Sequence, residues 1–342
     1  MKFLALDSGS RKWGYALFEG KKVIKKGIID IDDLERVLLE IKLAENPAFI
    51  VVGRRRGAID KLRFLKDVEI ITVSETDTTM EARNLYFSEF PPKGLIKLLP
   101  KGLRVPDRAV DDFAAIVIGR RFLNSPDGIY RILRESFLKA IKDYEELEKE
   151  PVFINSFPLE CCEGSLNEGY VVEASFKGYK GRAFSSIRVR SFNVRLKDVV
   201  WKESTSLKDK VIFMAALNAL YRYQGKVDVT IHCEYEDQIV CAERLISMIK
   251  STWGKGKIYT GRINSKFLTS LSKGFDVKFL DSLEENGVLE DVSVFVLSGK
   301  NLFDRSLSRI LNLGKPVICY GPTVVALSAI LEDLQVYCPL GK

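Results

Sequence analysis

Short apolar runs that suit β-strands alternate with longer amphipathic stretches that suit α-helices along most of this 342-residue chain. The run at residues 48–52 is wholly apolar, so this strand is expected to be buried, and further strands are predicted at 227–231 and 292–297. Strands of this kind in alternation with helices are typical of largely parallel sheets. The sequence therefore predicts an α/β fold, with a length that suits about two domains.

The beginning of the chain departs from this alternation. Three strands in succession are predicted before the first helix, which indicates a mixed sheet that starts with antiparallel hairpins. The three predicted strands are residues 2–7, 13–18 and 22–29. Further along, Asp107 is predicted to cap a helix that runs through Arg121.

A highly charged stretch that ends at Pro151 marks the predicted end of the N-terminal domain, because proline stops helices. Beyond it, residues 169–176 and 183–194 alternate like half-buried strands. We predict an N-terminal domain at 1–148, a small α+β segment at 149–210 and a domain with a parallel sheet at 211–342.

Composition limits the classes of protein to which the chain can belong. No run approaches the roughly 18 apolar residues that a membrane span needs, so we expect a cytoplasmic protein without membrane partners. The six cysteines lack the regular spacing of a secreted disulfide scaffold, which favours free thiols or thiolate ligands. The net charge of +7 favours polyanionic partners, although many acidic residues are interspersed.

Carboxylates stand at three places where neighbouring residues are expected to be buried. Asp7 follows an apolar strand, Glu75 follows another, and Asp111 and Asp112 precede the very apolar helical residues 113–118. An unpaired buried carboxylate is costly, and a hard divalent ion such as Mg²⁺ or Mn²⁺ would neutralise all of them. Such a cluster suits phosphodiester hydrolysis. The alternative interpretation is that Asp7 is a turn former, Glu75 a solvated residue at a strand end and Asp112 a charge on the helix surface.

The N-terminal domain resembles the YqgF/RuvC branch of the RNase H-like superfamily. The stretches that carry the resemblance are residues 6–16, close to a Leu-Asp-Pro-Gly-Thr opening, then 74–82 and 111–115. The resemblance implies an RNase H-like mixed sheet with flanking helices, and metal-binding acids at Asp7, Glu75 and Asp112. Asp112 keeps the family's spacing to two alanines, so Asp111 is the second choice. It also implies a nuclease-like protein that acts on structured nucleic acid, for which a homodimer would supply two facing sites.

The sequence departs from this family at Arg54, Arg55 and Arg56, where relatives carry a less basic loop. Guanidinium groups suit phosphates, so these arginines are candidate nucleic-acid contacts. A solvated surface run is the alternative interpretation.

A second candidate metal site involves the only histidine, His232, with Cys233 beside it and Cys241 further on. Histidine and cysteine together suit a transition metal such as zinc. Successive residues of a strand point to opposite faces, however, so His232 and Cys233 could share an ion only if the chain turns there. The alternative is that each is a buried structural residue.

The C-terminal part resembles an uncharacterised family whose name refers to heavy-metal chelation and whose members pair an enolase-N-like α+β part with a Rossmann-like sheet. The stretches that carry the resemblance are residues 169–172, 180–184, 215–220, 229–233, 315–321 and 337–341. In a doubly wound sheet, ligands bind beyond the carboxyl ends of the strands. The candidate cofactor-binding residues at that edge are Ser298, Gly299, Tyr320, Gly321 and Thr323. The competing function is therefore a protein that handles a small molecule or a transition metal through this sheet, with a silent N-terminal domain.

Overall fold

A computed structural model describes residues 1–92, 100, 104–158, 169–199, 206–227, 231–232, 238–254, 256–261, 265–279, 292–299, 310, 313, 315–331 and 334–338. The chain divides into two compact units, Met1–Ile132 and Leu133–Lys342. The first contains a mixed sheet and the second an all-parallel sheet, which confirms the predicted α/β fold. The domain limits at residues 148 and 210 stay predictions. Among the helices within the described ranges, none combines the length and hydropathy of a membrane span.

The first unit is built on a five-stranded sheet in the order β3-β2-β1-β4-β5. Its strands are β1 (Lys2–Ser8), β2 (Lys12–Glu19), β3 (Lys22–Asp30), β4 (Phe49–Gly53) and β5 (Glu69–Val73). The first three strands pair antiparallel, while β4 and β5 continue the sheet in parallel with β1. The predicted hairpins at the start of the chain are thereby confirmed.

Four helices accompany this sheet in the chain. They are α1 (Leu34–Glu45), α2 (Thr78–Glu89), α3 (Asp111–Leu123) and α4 (Pro126–Lys142), the last of which runs across the division between the two units. Strand residues alternate between the two faces of the sheet. Phe3 and Phe18 stack at 4.8 Å in the core that includes α3, whereas Leu4 and Trp13 belong to the core that includes α1.

The predicted start of the third helix was wrong. The helix begins at Asp111, with Val110 before it, rather than after a cap at Asp107. Asp107 instead accepts a hydrogen bond from the hydroxyl of Tyr86 on α2. The Asp107 side chain, which was predicted to cap the helix, is therefore bound to a partner from another helix instead.

The second unit contains a small antiparallel sheet in the order β8-β7-β6-β9. Its strands are β6 (Pro151–Pro158), β7 (Tyr170–Phe176), β8 (Tyr179–Ser185) and β9 (Phe192–Arg195). The single strand predicted at residues 183–194 is wrong, because these residues belong to two strands separated by a connection. One face of the sheet packs on α5 (Leu207–Tyr223), where a Cβ on Gly181 would overlap the helix backbone.

The other sheet of this unit has six parallel strands in the order β10-β15-β14-β13-β11-β12. Its strands are β10 (Ile231–His232), β11 (Lys257–Thr260), β12 (Asp276–Phe279), β13 (Val292–Ser298), β14 (Val317–Tyr320) and β15 (Leu334–Cys338). The helices α6 (Gln238–Trp253), α7 (Ser265–Gly274) and α8 (Leu327–Ile330) lie between these strands in the chain. The parallel sheet predicted for the C-terminal part is confirmed.

Candidate carboxylate site

Asp7 lies near the end of β1, on the same face as Phe3 and Ala5, and its register partner on β2 is Gly14. The carboxylate is thus expected on the side of the sheet that packs against α3. A Cβ on Gly14 would overlap the backbone carbonyl of Asp111. Only glycine therefore lets the first residue of α3 approach β2 next to Asp7.

Glu75 reaches the same end of the sheet from the connection between β5 and α2. Its backbone carbonyl accepts hydrogen bonds from the amide and the hydroxyl of Thr78, which fixes Glu75 to the start of α2. Its side chain lies over Gly53 so closely that a Cβ there would overlap the carboxylate. The Ser8 hydroxyl donates to Glu75 Oε1 over 3.5 Å, a long hydrogen bond.

Burial and like charges together favour the protonated form of Asp7. The pKa of Asp7 is raised from 3.8 to about 7, first by desolvation and then by the neighbouring charges of Glu75 and Asp111, against the lowering effect of Arg55. Desolvation also raises the pKa of Glu75, while Arg55 and the hydrogen bond from Ser8 lower it. Three carboxylates from distant parts of the chain are therefore electrostatically coupled.

Arg55 is the cation of this site. Its Nη1 donates to the carbonyl oxygen of Ser8 at 2.7 Å, which ties the loop after β4 to the end of β1. Its charge lowers the pKa of Asp7 but does not offset the combined effect of burial, Glu75 and Asp111. Arg54 and Arg56, which the sequence grouped with Arg55, are exposed on the same loop.

Asp112 is oriented differently from Asp111. Its side chain is almost completely buried and forms a bidentate ion pair with Arg108. Nη1 and Nη2 of Arg108 donate to Oδ1 and Oδ2 of Asp112 at 3.0 and 2.9 Å. Asp111, at the very start of α3, is the member of the pair whose charge acts on Asp7. The sequence placed Asp112 first and Asp111 second as metal ligands, and this choice stays a prediction.

The donor chemistry of Asp7, Glu75 and Asp111 fits a hard divalent ion, because such ions prefer carboxylate oxygens. In the part of the chain that the structure describes, however, no three acidic, histidine or cysteine side chains are grouped closely enough to hold an ion as they stand. The coupling seen in the pKa of Asp7 operates over longer distances than coordination. A metal would therefore need at least one of these side chains to rotate towards Asp7.

Sequence reasoning did not identify Ser8 and Gly14 as parts of this site. Ser8 directly follows Asp7, and Gly14 becomes informative only once its register opposite Asp7 is known. An antiparallel pairing of the first two predicted strands would have placed a glycine opposite the carboxylate, which is the available signal.

The predicted cofactor-binding residues of the second unit lie where the sequence placed them in the sheet. Ser298 and Tyr320 are register partners at the carboxyl ends of β13 and β14. Gly321 has a φ of 101°, a conformation that favours glycine. A Cβ on Gly299 would overlap the side chain of Thr323. A cofactor at this edge stays a prediction.

Thr323 belongs to a buried polar cluster that the sequence did not reveal. Its hydroxyl accepts a hydrogen bond from the amide of Phe184 at 2.9 Å. The amide nitrogen of Asn218 donates to the carbonyl oxygens of Arg182 and Thr323, and its Oδ1 accepts from Ala326. These contacts join the small sheet, α5 and the residues after β14, so Thr323 has a structural role in the interior.

The candidate transition-metal residues fall largely outside the described part of the chain. Cys233 lies outside it, as do the side chains of His232 and Cys241, whose backbones belong to β10 and α6. Cys319 on β14 is completely buried, and this burial raises the pKa of its thiol to about 12. Cys319 is therefore a protonated, packed thiol rather than a thiolate. The second candidate function, a ligand on the C-terminal sheet, stays a prediction.

No family model matches this chain, and no curated protein matches it. Solved structures with some likeness include RuvC of T. thermophilus in complex with a Holliday junction substrate, at 13% identity and a TM-score of 0.24, over 34% of this chain and 89% of RuvC. A DUF364 protein of unknown function from Desulfitobacterium hafniense is 16% identical with a TM-score of 0.36, over 60% of this chain and 84% of its own. A DUF364 protein of unknown function from Pyrococcus horikoshii is 13% identical with a TM-score of 0.32, over 57% and 78%. All three likenesses are weak.

Proposed function

We propose that the unit Met1–Ile132 is a metal-dependent nuclease, or a nuclease-like binding protein, that acts on structured nucleic acid. The observation that carries the proposal is the convergence of Asp7, Glu75 and Asp111 at one end of the mixed sheet, with Asp7 held near a pKa of 7. Structural carboxylates are usually paired with cations or exposed to water. This cluster has three acids around one arginine.

The polarity of the site supports a cationic cofactor and a phosphate-containing substrate. Mg²⁺ or Mn²⁺ bound to carboxylates can activate a water molecule and stabilise a leaving oxygen in phosphodiester hydrolysis. Asp7, Glu75 and Asp111 would hold the ion. Arg54 and Arg56 extend from the adjacent loop into solvent, where guanidinium groups can contact backbone phosphates.

We propose that Arg55 mainly positions the residues of the site, and that contact with the substrate is secondary. Its contact with the Ser8 carbonyl fixes the end of β1, and its charge holds the pKa of Asp7 below the value that burial and the other carboxylates would produce alone. The second effect leaves part of the Asp7 population ionised at neutral pH.

Asp111 is proposed as the third ligand in preference to Asp112. The carboxylate of Asp112 already has both oxygens bonded to Arg108 in a buried position. Withdrawing it would leave Arg108 without this partner and cost several kcal/mol, roughly. Asp111 is half-buried at the first position of α3 and does not take part in that ion pair.

The test is a cleavage assay on branched DNA and structured RNA with Mg²⁺ or Mn²⁺, which compares the wild type with Asp7→Asn, Asp111→Asn and Asp112→Asn. We expect Asp7→Asn and Asp111→Asn to abolish cleavage, and Asp112→Asn to retain part of it. Asp32→Asn, an exposed acid in the same unit, is the matched control and should cleave like the wild type.

Absence of cleavage by the wild type with either metal would remove the nuclease part of the proposal. The binding part is measured separately, as metal-dependent binding of the same substrates to the wild type and to Asp7→Asn. Equal binding by both proteins, with and without metal, would refute the whole proposal.

A further inference from the structure

The small antiparallel sheet of the second unit has one face that α5 does not cover. Register pairing places Phe153, Ser175 and Lys180 in one row across β6, β7 and β8, and Asn155, Glu173 and Arg182 in the next. The residues between them, such as Ile154 and Ala174, are buried. We call the face that carries Phe153 the outer face.

Two aromatic side chains of β6 stand exposed on the outer face. Phe153 is 43% exposed and Phe157 is 36% exposed, which is unusual for phenylalanine on a strand. The two residues are four positions apart and therefore about 13 Å apart along the strand. The guanidinium of Arg182 lies 5.7 Å from the ring centroid of Phe157, so one ring is already paired with a cation.

Basic residues outnumber acidic ones in and around this sheet. The described residues 151–158 and 169–199 contain seven lysines and arginines and two acids, Glu173 and Asp198. Three of the seven, Lys180, Arg182 and Arg195, lie on its strands. The basic residues are Lys177, Lys180, Arg182, Arg188, Arg190, Arg195 and Lys197.

The acid at the centre of the face does not reverse this balance. Glu173 is bound by Arg182 at 2.7 Å and by Lys180 at 3.1 Å, and although desolvation opposes it, these two cations lower its pKa. It therefore holds two cations of β8 against β7, and one of them, Arg182, also lies near the ring of Phe157. Arg195, on the neighbouring edge, is ion-paired with Asp198 at 2.5 Å.

We propose that the outer face of the sheet β8-β7-β6-β9 binds single-stranded nucleic acid. Bases stack on exposed aromatic rings and on guanidinium planes, while lysine and arginine neutralise the backbone phosphates. The rings of Phe153 and Phe157 on β6 and the cations Lys180 and Arg182 on β8 provide both kinds of contact on the same face of the sheet. A protein partner with an acidic surface would use the charges but would not require planar rings.

The test measures fluorescence anisotropy of labelled oligothymidylate and oligouridylate, each about 12 nucleotides long, with the full chain in EDTA. We expect the wild type to bind both probes, with an affinity that falls as salt rises. Replacing both rings in Phe153→Leu/Phe157→Leu keeps apolar side chains but removes stacking, and should weaken binding about tenfold or more. Phe153→Tyr/Phe157→Tyr should bind like the wild type.

Tyr144→Leu is the matched control, because Tyr144 is 44% exposed in the same unit but lies outside the sheet. It should leave the affinity unchanged, and Lys180→Ala should reduce the salt dependence. Because the assay is done in EDTA, no divalent ion can occupy the carboxylate site, which separates binding at this face from binding at that site.

Two results would overturn the inference. They are no binding by the wild type at low salt, or equal affinity of the double Leu variant and the wild type. Equal affinity together with a change in the sedimentation of that variant would identify the outer face as a surface for self-association.

Discussion

Asp7→Asn is expected to make the first unit more stable at neutral and alkaline pH. The folded state holds the Asp7 proton up to a pH of about 7, whereas the unfolded chain releases it near 3.8. Between these values the folded state binds more protons, so its stability falls as pH rises. At about 1.4 kcal/mol per pKa unit, the full loss is roughly 4 kcal/mol, of which about 3 kcal/mol occurs between pH 5 and pH 8.

The assay is urea unfolding of the full chain at pH 5 and pH 8, followed by the fluorescence of Trp13. Trp13 is completely buried in the first unit, and the other two tryptophans, Trp201 and Trp253, are replaced by phenylalanine so that the signal reports this unit. The wild type should lose about 3 kcal/mol more than Asp7→Asn over this pH interval. The exposed control Asp32→Asn should follow the wild type.

Two additions sharpen this experiment. Arg55→Ala removes the cation that lowers the pKa of Asp7, so stability should decline to a higher pH than in the wild type. Mg²⁺ at ten times its dissociation constant should raise the free energy of unfolding of the wild type at pH 8 by about 1.4 kcal/mol. It should not raise that of Asp7→Asn. Parallel pH dependence of the wild type and Asp7→Asn would contradict the proposed burial and charge coupling.

Three further predictions follow from individual contacts. Gly14→Ala should destabilise the first unit by about 1–3 kcal/mol in urea unfolding, because the new methyl group overlaps the backbone of Asp111, and an effect below that of an exposed substitution would refute the close approach. Arg108→Ala should cost roughly 1–3 kcal/mol by leaving buried Asp112 unpaired, and Arg108→Ala/Asp112→Asn should cost less than Arg108→Ala, whereas additive losses would argue against the ion pair. Cys319→Ala should leave the number of fast-reacting thiols in the native protein unchanged, because burial keeps the Cys319 thiol protonated, and one fewer fast thiol would show that Cys319 is accessible.

The strands of the first sheet were predictable because several of them are short apolar runs bounded by polar or turn-forming residues. Trp13, Leu17 and Phe18 already indicated the buried part of β2, and β1 to β3 end within one or two residues of their predicted ends. The pairing order follows from short hairpins, which leave few alternatives. Local pattern was sufficient where neighbours in sequence are also neighbours in the sheet.

Prediction from the sequence failed where a residue distant in the chain determines the local structure. Asp107 looked like a helix cap until Tyr86 supplied a partner for it. Residues 183–194 looked like one strand because alternation continues through the connection, where Val189 is buried and hydrogen-bonded to Ser156. Neither Tyr86 nor Ser156 is near its partner in the sequence, so no local pattern could have indicated these contacts.

The choice between Asp111 and Asp112 shows why the candidate site was only partly predictable. Successive residues on a helix point about 100° apart, so one of two adjacent acids faces a given neighbour and the other does not. Sequence spacing favoured Asp112. Spacing does not show, however, that the guanidinium of Arg108 donates to both oxygens of the Asp112 carboxylate. Once Asp112 is assigned to that ion pair, the unbalanced charge near Asp7 comes from Asp111 and Glu75. Burial, Glu75 and Asp111 keep the pKa of Asp7 near 7 despite Arg55, and a divalent cation is the simplest group that would stabilise the ionised form of these carboxylates.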